Sequence, residues 1–372
     1  MATAGRQGAH LAGHPVLGPQ VWTASDARAS ASHWTHILSP GHLAELEGAV
    51  EGILSGGRAT VDGNYVRLAQ DMTAADFALP TLGPLLASIR LEVTAGRGFA
   101  LVKGMPVERW SRQQTIVAYY GIGLHWGTPR PQNKKAHLVG HVKDVGIDPD
   151  HKDPNTRIYL TRVAQPYHVD SCDLVGLLCL KPAKEGGLSS WASSFAAYNL
   201  MLERHPRLAQ VLAEPSWYLD RKGEVPSGCK PHFMIPIVNN FQGHLIVYLN
   251  DTYYQLAQRH VDVPRMTDEQ HEALITFVAL LSGDELRVDY SLEPGDLQLL
   301  NNHCCIHTRT AYVDHEDPAI KRHLLRLWVA PPEEHAWPLP ECFAEQYGTT
   351  APGDRGGIRV AGYDACVPLE AE

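Results

Sequence analysis

PYHVDSCDLVGLLCL, Pro166–Leu180, sets a His and an Asp two residues apart and then enters Leu174–Leu180, a run that can only be buried. In a strand, residues i and i+2 project from one face, so H-x-D on a strand aims an imidazole and a carboxylate at one point. The pattern occurs four times, at His151/Asp153, His168/Asp170, His260/Asp262 and His315/Asp317, and with 20 histidines in the chain chance supplies about that many. The flanks discriminate. Pro154 and Asn155 place the first in a loop, Val263-Pro264 places the third in a connection, and Pro318 places the fourth in a charged turn. Only His168 and Asp170 lead into an apolar strand, the rigid support that precise metal geometry requires.

The chain has 372 residues, room for one large domain or two ordinary ones. With 44% hydrophobic and 20% charged residues it reads as globular. The net charge of −9 is spread along the chain, and the densest basic stretches, Lys134-Lys135 and Lys321-Arg322, are short. This argues against a nucleic-acid partner, which calls for a basic stripe. Seven cysteines without a C-x-x-C do not form a disulfide framework, so a reducing, cytoplasmic setting is expected. A transit peptide stays open because the first thirty residues are poor in acids. No apolar run approaches the roughly 20 residues of a membrane span, so no membrane partner is expected. The oligomeric state is open, with a homodimer among the options.

Residues 1–20 read as an extended arm. Ser39-Pro40 opens an amphipathic helix, Leu79–Gly104 reads as a helix passing into a strand at Phe99–Val102, and Ser111–Gly123 reads as another helix. Between Thr128 and Asn155 the periodicity fades into Pro, Asn, Lys, His and Asp, which predicts an irregular substrate-covering loop. Arg157–Leu180 reads as strands broken around Ala164-Gln165-Pro166. Leu188–Ser194 is a strand after the Gly186-Gly187 turn, followed by helices over Phe195–Arg204 and Arg207–Ala213. His232–Asn250 reads as a hairpin about Asn239–Gly243. Thr267 and Gln270 form a capping box for a helix to Leu281, and His323–Ala330 is the last strong strand. Helices first, then many strands without βα alternation, predict a mainly β sandwich or jelly roll with flanking helices. The expected division is an N-terminal arm and helical extension over 1–70, a main domain over 71–331, and a C-terminal tail over 332–372 packed on it.

Two ligands do not hold an iron; non-haem Fe(II) sites use two His and one carboxylate. His303 and His307 flank Cys304-Cys305-Ile306 in a strand-and-turn region, so one of them is expected to point inward. A zinc site from His303, Cys304, Cys305 and His307 is the rival, weakened because adjacent cysteines rarely ligate one ion. The plainer reading makes both cysteines small packing residues.

The segments YHVDSCDLVGLLCLKPAKEGGLSSWASSFAAYN (Tyr167–Asn199) and PGDLQLLNNHCCIHTRTAYVDHEDPAIKRHLLRLWV (Pro294–Val329) resemble the taurine dioxygenase-like (TauD/TfdA) family of Fe(II)/2-oxoglutarate-dependent oxygenases. The ordered pattern is H-x-D, G-G-x-[ST], G-D-x-x-x-x-[ND]-N, a distal His and a following Arg, over about Asp71–Trp328. The resemblance implies a double-stranded β-helix (jelly-roll) core, with His168, Asp170 and His307 as catalytic metal ligands. It further implies Ser189 at a hydroxyl position touching 2-oxoglutarate, Arg326 on the co-substrate's far carboxylate, and Fe(II), 2-oxoglutarate and O2 as the reactants besides a small-molecule substrate.

The residues agree in kind. Arg326 lies 19 residues beyond His307 on an apolar strand, where an inward guanidinium needs a carboxylate partner; the alternative is an edge strand with Arg326 in solvent. Arg322, after Lys321, is expected to be exposed. Arg309 is expected to pair with Asp314 or reach substrate. Ser189 reads equally well as a sheet-surface serine. Gln132 and Asn133, with Lys134 and Lys135, are expected in the lid, and Asn302 either faces the pocket or serves a turn. Halogenases of this kind leave the Asp170 position empty, so oxygenation is expected, hydroxylation first and desaturation second, of a small or medium metabolite other than taurine. The rivals are a non-catalytic jelly-roll binding protein and a zinc-dependent hydrolase.

Overall fold

The computed structural model describes residues 10–147, 153–360, 362 and 364–372. Two sheets form the core. The major sheet runs Thr35–Ile37, Phe99–Lys103, Leu297–Asn301, Leu174–Lys181, His323–Ala330 and Thr128–Arg130, with Val139–Val142 also paired to His323–Ala330. Its first pairing is parallel and the rest are antiparallel. The minor sheet runs Val288–Tyr290, Ser189–Ser193, Cys305–Arg309 and Gln165–His168, all antiparallel. This is the jelly-roll core of the double-stranded β-helix type.

The central strands read as unbroken apolar runs because both of their faces are covered. Phe99, Leu101, Val175, Leu324 and Trp328 face the inner core with Trp191 and Ile306 of the minor sheet. Ala100, Val102, Leu178, Leu325 and Leu327 face outward onto the helices Leu82–Ala95 and Arg112–Trp126. The same alternation turns Arg326, between Leu325 and Leu327, into the interior.

The expected helices form with their caps. Ser39 starts Pro40–Ser55, Ser111 starts Arg112–Trp126, and Thr267 with Gln270 closes both halves of a capping box on Asp268–Ser282. The 232–250 hairpin pairs Val238–Phe241 with His244–Val247 across Gln242 and Gly243, both at positive φ. The N- and C-terminal regions meet: Val367–Pro368 pairs with Tyr65–Leu68.

Two expectations require correction. Thr128–Asn155 is not a free lid: Thr128–Arg130 and Val139–Val142 are major-sheet strands on His323–Ala330. Their Pro, Gly and His content hid them, since short edge strands tolerate residues that central ones do not. Residues 148–152 of that segment, with His151, lie outside the described residues. Conversely, Arg157–Val163 is not a strand but holds a 3-10 turn at Ile158–Leu160, while Gln165-Pro166, expected as a break, begins the strand that carries His168. Pro166 is tolerated because this strand is the edge of the minor sheet.

Gly127 has φ +154 and joins the Arg112–Trp126 helix to the sheet; a Cβ there would collide with the backbone oxygen of Ala330. Gly127→Ala is therefore expected to destabilise the fold by about 1–3 kcal/mol. Gly48→Ala, in a helix with open space around the added methyl, should stabilise by about 0.5–1 kcal/mol. Urea denaturation of the two variants checks both signs.

Candidate active site

The Gln165–His168 strand stops at His168, and Asp170 lies in the crossing that carries the chain to Leu174–Lys181 in the other sheet. A corner between sheets, rather than strand alternation, thus brings the H-x-D side chains together. The corner is pinned: Val169 N donates to Leu249 O at 2.8 Å, and Asp170 N donates to Asn302 Oδ1 at 3.0 Å. His307 sits directly opposite His168 in the antiparallel register, with ring centroids 4.2 Å apart. His168, Asp170 and His307 each offer a ligand atom within 4.8 Å of the others, the single such cluster among the described residues.

The donor atoms suit a metal. Asp170 Oδ1 accepts from Arg326 Nη1 at 3.0 Å, while its Oδ2 is buried with no hydrogen-bond partner and lies 3.8 Å from His307 Nε2. His168 Nδ1 donates to Pro166 O at 2.9 Å, which leaves Nε2 its lone pair; Gln165 Nε2 donates to that atom at 2.8 Å. Burial, and then the neighbouring His168, push the His307 imidazole down to about 3, and burial also lowers His168. Burial acts to raise Asp170, but Arg326, His307 and His168 together outweigh it and hold the carboxyl below its usual range. Two neutral imidazoles and one carboxylate are the donor set of a mononuclear Fe(II) site with open positions.

The zinc alternative is not assembled. His303 Nε2 lies 3.0 Å from Asp173 Oδ1, away from His307, and Arg355, itself completely buried, also pairs with Asp173. Cys304 and Cys305 pack against Gly98, where a Cβ would sit 2.6 and 2.9 Å from their sulfurs.

Beside the metal cluster, Ser189, His307, Arg309, Arg322 and Arg326 line one small cavity. Ser189 faces Arg309 in register, and its hydroxyl donates to Gln298 Oε1 at 2.6 Å. Arg322, expected to be exposed, is only 4% exposed. Its backbone N donates to Asp314 Oδ1 at 2.7 Å, which turns the charged hairpin outward and sends the guanidinium in. Gly187, at φ +67, makes room: a Cβ would stand 2.9 Å from Arg322 Nε. Arg309 does not pair with Asp314; its Nη2 donates to Thr161 O at 3.0 Å. Arg309 and Arg322 flank the Tyr312 ring at 5.0 and 5.1 Å. Neither guanidinium has a carboxylate within 4 Å among the described residues, and Arg309 Nε and Nη1 and Arg322 Nη1 have no partner. Burial, then Arg322, lower Arg309 to about 10, and burial lowers Arg322. Two buried guanidiniums with idle donors could take an anion between them.

Arg326 occupies a different position. Besides Asp170 it donates from Nε to Gln132 Oε1 at 2.8 Å, with its guanidinium over the Tyr159 and Trp328 rings. Gln132 also donates to Arg326 O at 2.6 Å, so it holds Arg326 rather than covering substrate. Asn133 Oδ1 accepts from the backbone N of Lys135 and His137, stabilising its own turn. Asn302 does not face the pocket: its amide is consumed by Asp170 N and by Cys172 O at 3.0 Å. No sequence signal marks the outer chamber, which is lined by His168, Asp170 and Arg326 together with Arg157, Arg221, Lys222 and Tyr253.

A family model described as "Taurine catabolism dioxygenase TauD, TfdA family" matches residues 64–328. The chain belongs to this family. It is accordingly an Fe(II)- and 2-oxoglutarate-dependent dioxygenase that uses O2. The TauD/TfdA chain is 32% identical over 321 residues, 85% of itself and 90% of the relative, to "FR-33289 synthase" of Streptomyces rubellomurinus. It is 30% identical over 275 residues, covering 71% of itself and 69% of the relative, to "Taurine hydroxylase-like protein SAT17" of Stachybotrys chartarum. Among solved structures, an asparagine oxygenase bound to Fe(II), 3-hydroxyasparagine and succinate shares the fold, with TM-score 0.58 and 14% identity over 80% of this chain and 93% of that one. The non-haem iron oxygenase OrfP with Fe and α-ketoglutaric acid gives TM-score 0.55 and 13% identity over 79% and 93%. No helix among the described residues is long and apolar enough to cross a membrane.

Asn302 positions Asp170 by accepting from one backbone group and donating to another, so Asn302→Asp removes the donor half. The variant should fold and bind Fe(II) about 10–100-fold more weakly, measured by anaerobic competition with a chromophoric chelator.

Proposed function

We propose that the protein hydroxylates an unactivated C–H of a small or medium metabolite, with 2-oxoglutarate converted to succinate and CO2. The observation that carries this is the pair of idle buried arginines, Arg309 and Arg322, in the cavity that His168, Asp170 and His307 also line. A linear dicarboxylate fits that arrangement, one end at the metal and the other between guanidiniums.

His168, Asp170 and His307 would hold the iron, which when bound supplies O2 activation and oxidising power toward C–H bonds. Arg322 and Arg309 would grip the far carboxylate, and Ser189 with Gln298 would line its path. Arg326, the residue first expected at that carboxylate, would instead keep Asp170 ionised and oriented, with Gln132 fixing its guanidinium. Gln165 would release His168 Nε2 when the metal enters. Substrate would come from the outer chamber, past Tyr159 and Trp328, whose rings exclude water from the Arg326–Asp170 pair. Asp170 fills the position that a halide would need, which supports oxygenation over halogenation.

The test is an anaerobic titration of metal-free protein with Fe(II) and then 2-oxoglutarate, followed by visible absorbance. Wild type should develop a metal-to-ligand charge-transfer band. His307→Ala should lose it, and Arg322→Met should require at least tenfold more 2-oxoglutarate. Folded, iron-loaded wild type without a band would overturn the assignment.

A further inference from the structure

The outer chamber is cationic in a way that the metal and co-substrate do not balance. Four cations line it, Arg157, Arg221, Lys222 and Arg326, against two carboxylates, Asp170 and Glu224. Glu224 Oε2 is 2.9 Å from Arg157 Nη1, and Asp170 belongs to Arg326 and the metal site. Fe(II) and doubly charged 2-oxoglutarate cancel one another. Arg221 and Lys222 therefore remain, with no carboxylate within 4 Å among the described residues.

Both are deeply placed, each 5% exposed. Arg221 is immobilised: its guanidinium donates to Lys230 O, Gln346 Oε1 and Glu345 O and lies 4.8 Å from the Phe233 ring centroid. Lys222 is not saturated. Its ammonium donates to Thr156 O at 2.7 Å and lies 5.5 Å from the Tyr253 ring centroid, which leaves two of three donors without a protein acceptor among the described residues. Its backbone is held at φ +47, an uncommon conformation for a lysine. Asp220, two residues earlier, accepts from Lys222 N at 2.6 Å and is itself paired with Arg259 and His260, so it and Asp153 offset the ammonium only in part. Burial, then Arg157, lower the lysine to about 8. An ammonium kept dry beside other cations, with donors to spare, is a costly arrangement unless an anion completes it.

We propose that Lys222, with Arg221 and Arg157 behind it, forms the recognition site for an oxyanion group on the primary substrate, which thereby docks one end at Lys222 and presents a C–H bond to the iron. This rests on the oxygenase reading of the His168–Asp170–His307 site, which it deepens by naming the substrate class. Carboxylate, sulfate-like and phosphate-like groups share the required chemistry.

The probes are sulfate, inorganic phosphate and acetate, titrated calorimetrically into anaerobic protein loaded with Fe(II) and 2-oxoglutarate. Saturable one-site binding is expected, weakened at least tenfold in Lys222→Met and restored in Lys222→Arg. Arg109→Met, which removes an equal charge from an exposed arginine bound to Glu47, should leave binding unchanged. The anion bound best separates a tetrahedral group from a planar carboxylate. Absent binding, equal binding in folded Lys222→Met, or displacement of 2-oxoglutarate by the probe would each overturn the proposal. The charge-transfer band is recorded in the same samples. A missing band with Lys222-dependent anion binding would sink the oxygenase reading alone, and a normal band without anion binding would sink this one alone.

Discussion

The buried ion pair between Asp170 and Arg326 is the constraint on which the site depends. Both side chains are removed from water at the corner where the chain leaves the minor sheet for the major one. A buried carboxylate is tolerated only with its charge answered, and removing one partner of such a pair typically costs about 3–5 kcal/mol. Arg326 answers it through Oδ1 and leaves Oδ2 unpartnered toward His307. The arrangement that makes the corner stable therefore also leaves one oxygen for a metal. Arg326 is fixed in turn by Gln132 and by two aromatic faces, so the ligand is oriented by rigid scaffold rather than by a loop.

From that pair inward and outward, positive charge is in excess. Arg309 and Arg322 lie on one side and Arg221 and Lys222 on the other, all buried, and none of their charged groups is within 4 Å of a carboxylate among the described residues. Like charges in a low-dielectric interior repel strongly, and the lowered Arg309 and Lys222 record that repulsion beside burial. A fold that keeps such groups stores free energy that anionic ligands release. Two separate cation pairs, one behind the iron position and one before it, argue for two anionic ligands rather than one.

Much of this was legible in the chain. Caps at Ser39, Ser111 and Thr267 mark helix starts because capping is local chemistry, and the doubly buried strands announce themselves as apolar runs. The choice of His168/Asp170 among four H-x-D pairs follows from what flanks them. Illegible were the features that long-range pairing decides. Thr128–Arg130 and Val139–Val142 are strands only because His323–Ala330 offers them an edge. Arg322 looks like a charged turn residue, and its burial uses the space left by Gly187, distant in sequence, which has no Cβ. Lys222 carries no motif at all; its role emerges from what surrounds it in space.

The segment shared with the family ends at residue 328, yet the site does not. Gly357 N donates to Ser171 O at 2.7 Å, Gln346 Nε2 to Ser171 Oγ at 3.0 Å, and Tyr347 OH to Cys172 O at 3.3 Å. Arg355 pairs with Asp173, so four residues of the C-terminal segment clasp the turn that follows Asp170. Gln346 and Ile358 then line the outer chamber, and Gln346 accepts from Arg221. The residues proposed to hold the metal and the co-substrate lie within the matched segment. Selection among substrates would need a wall facing the open side of the metal position, and part of the outer chamber's wall comes from this C-terminal segment, beyond the matched residues.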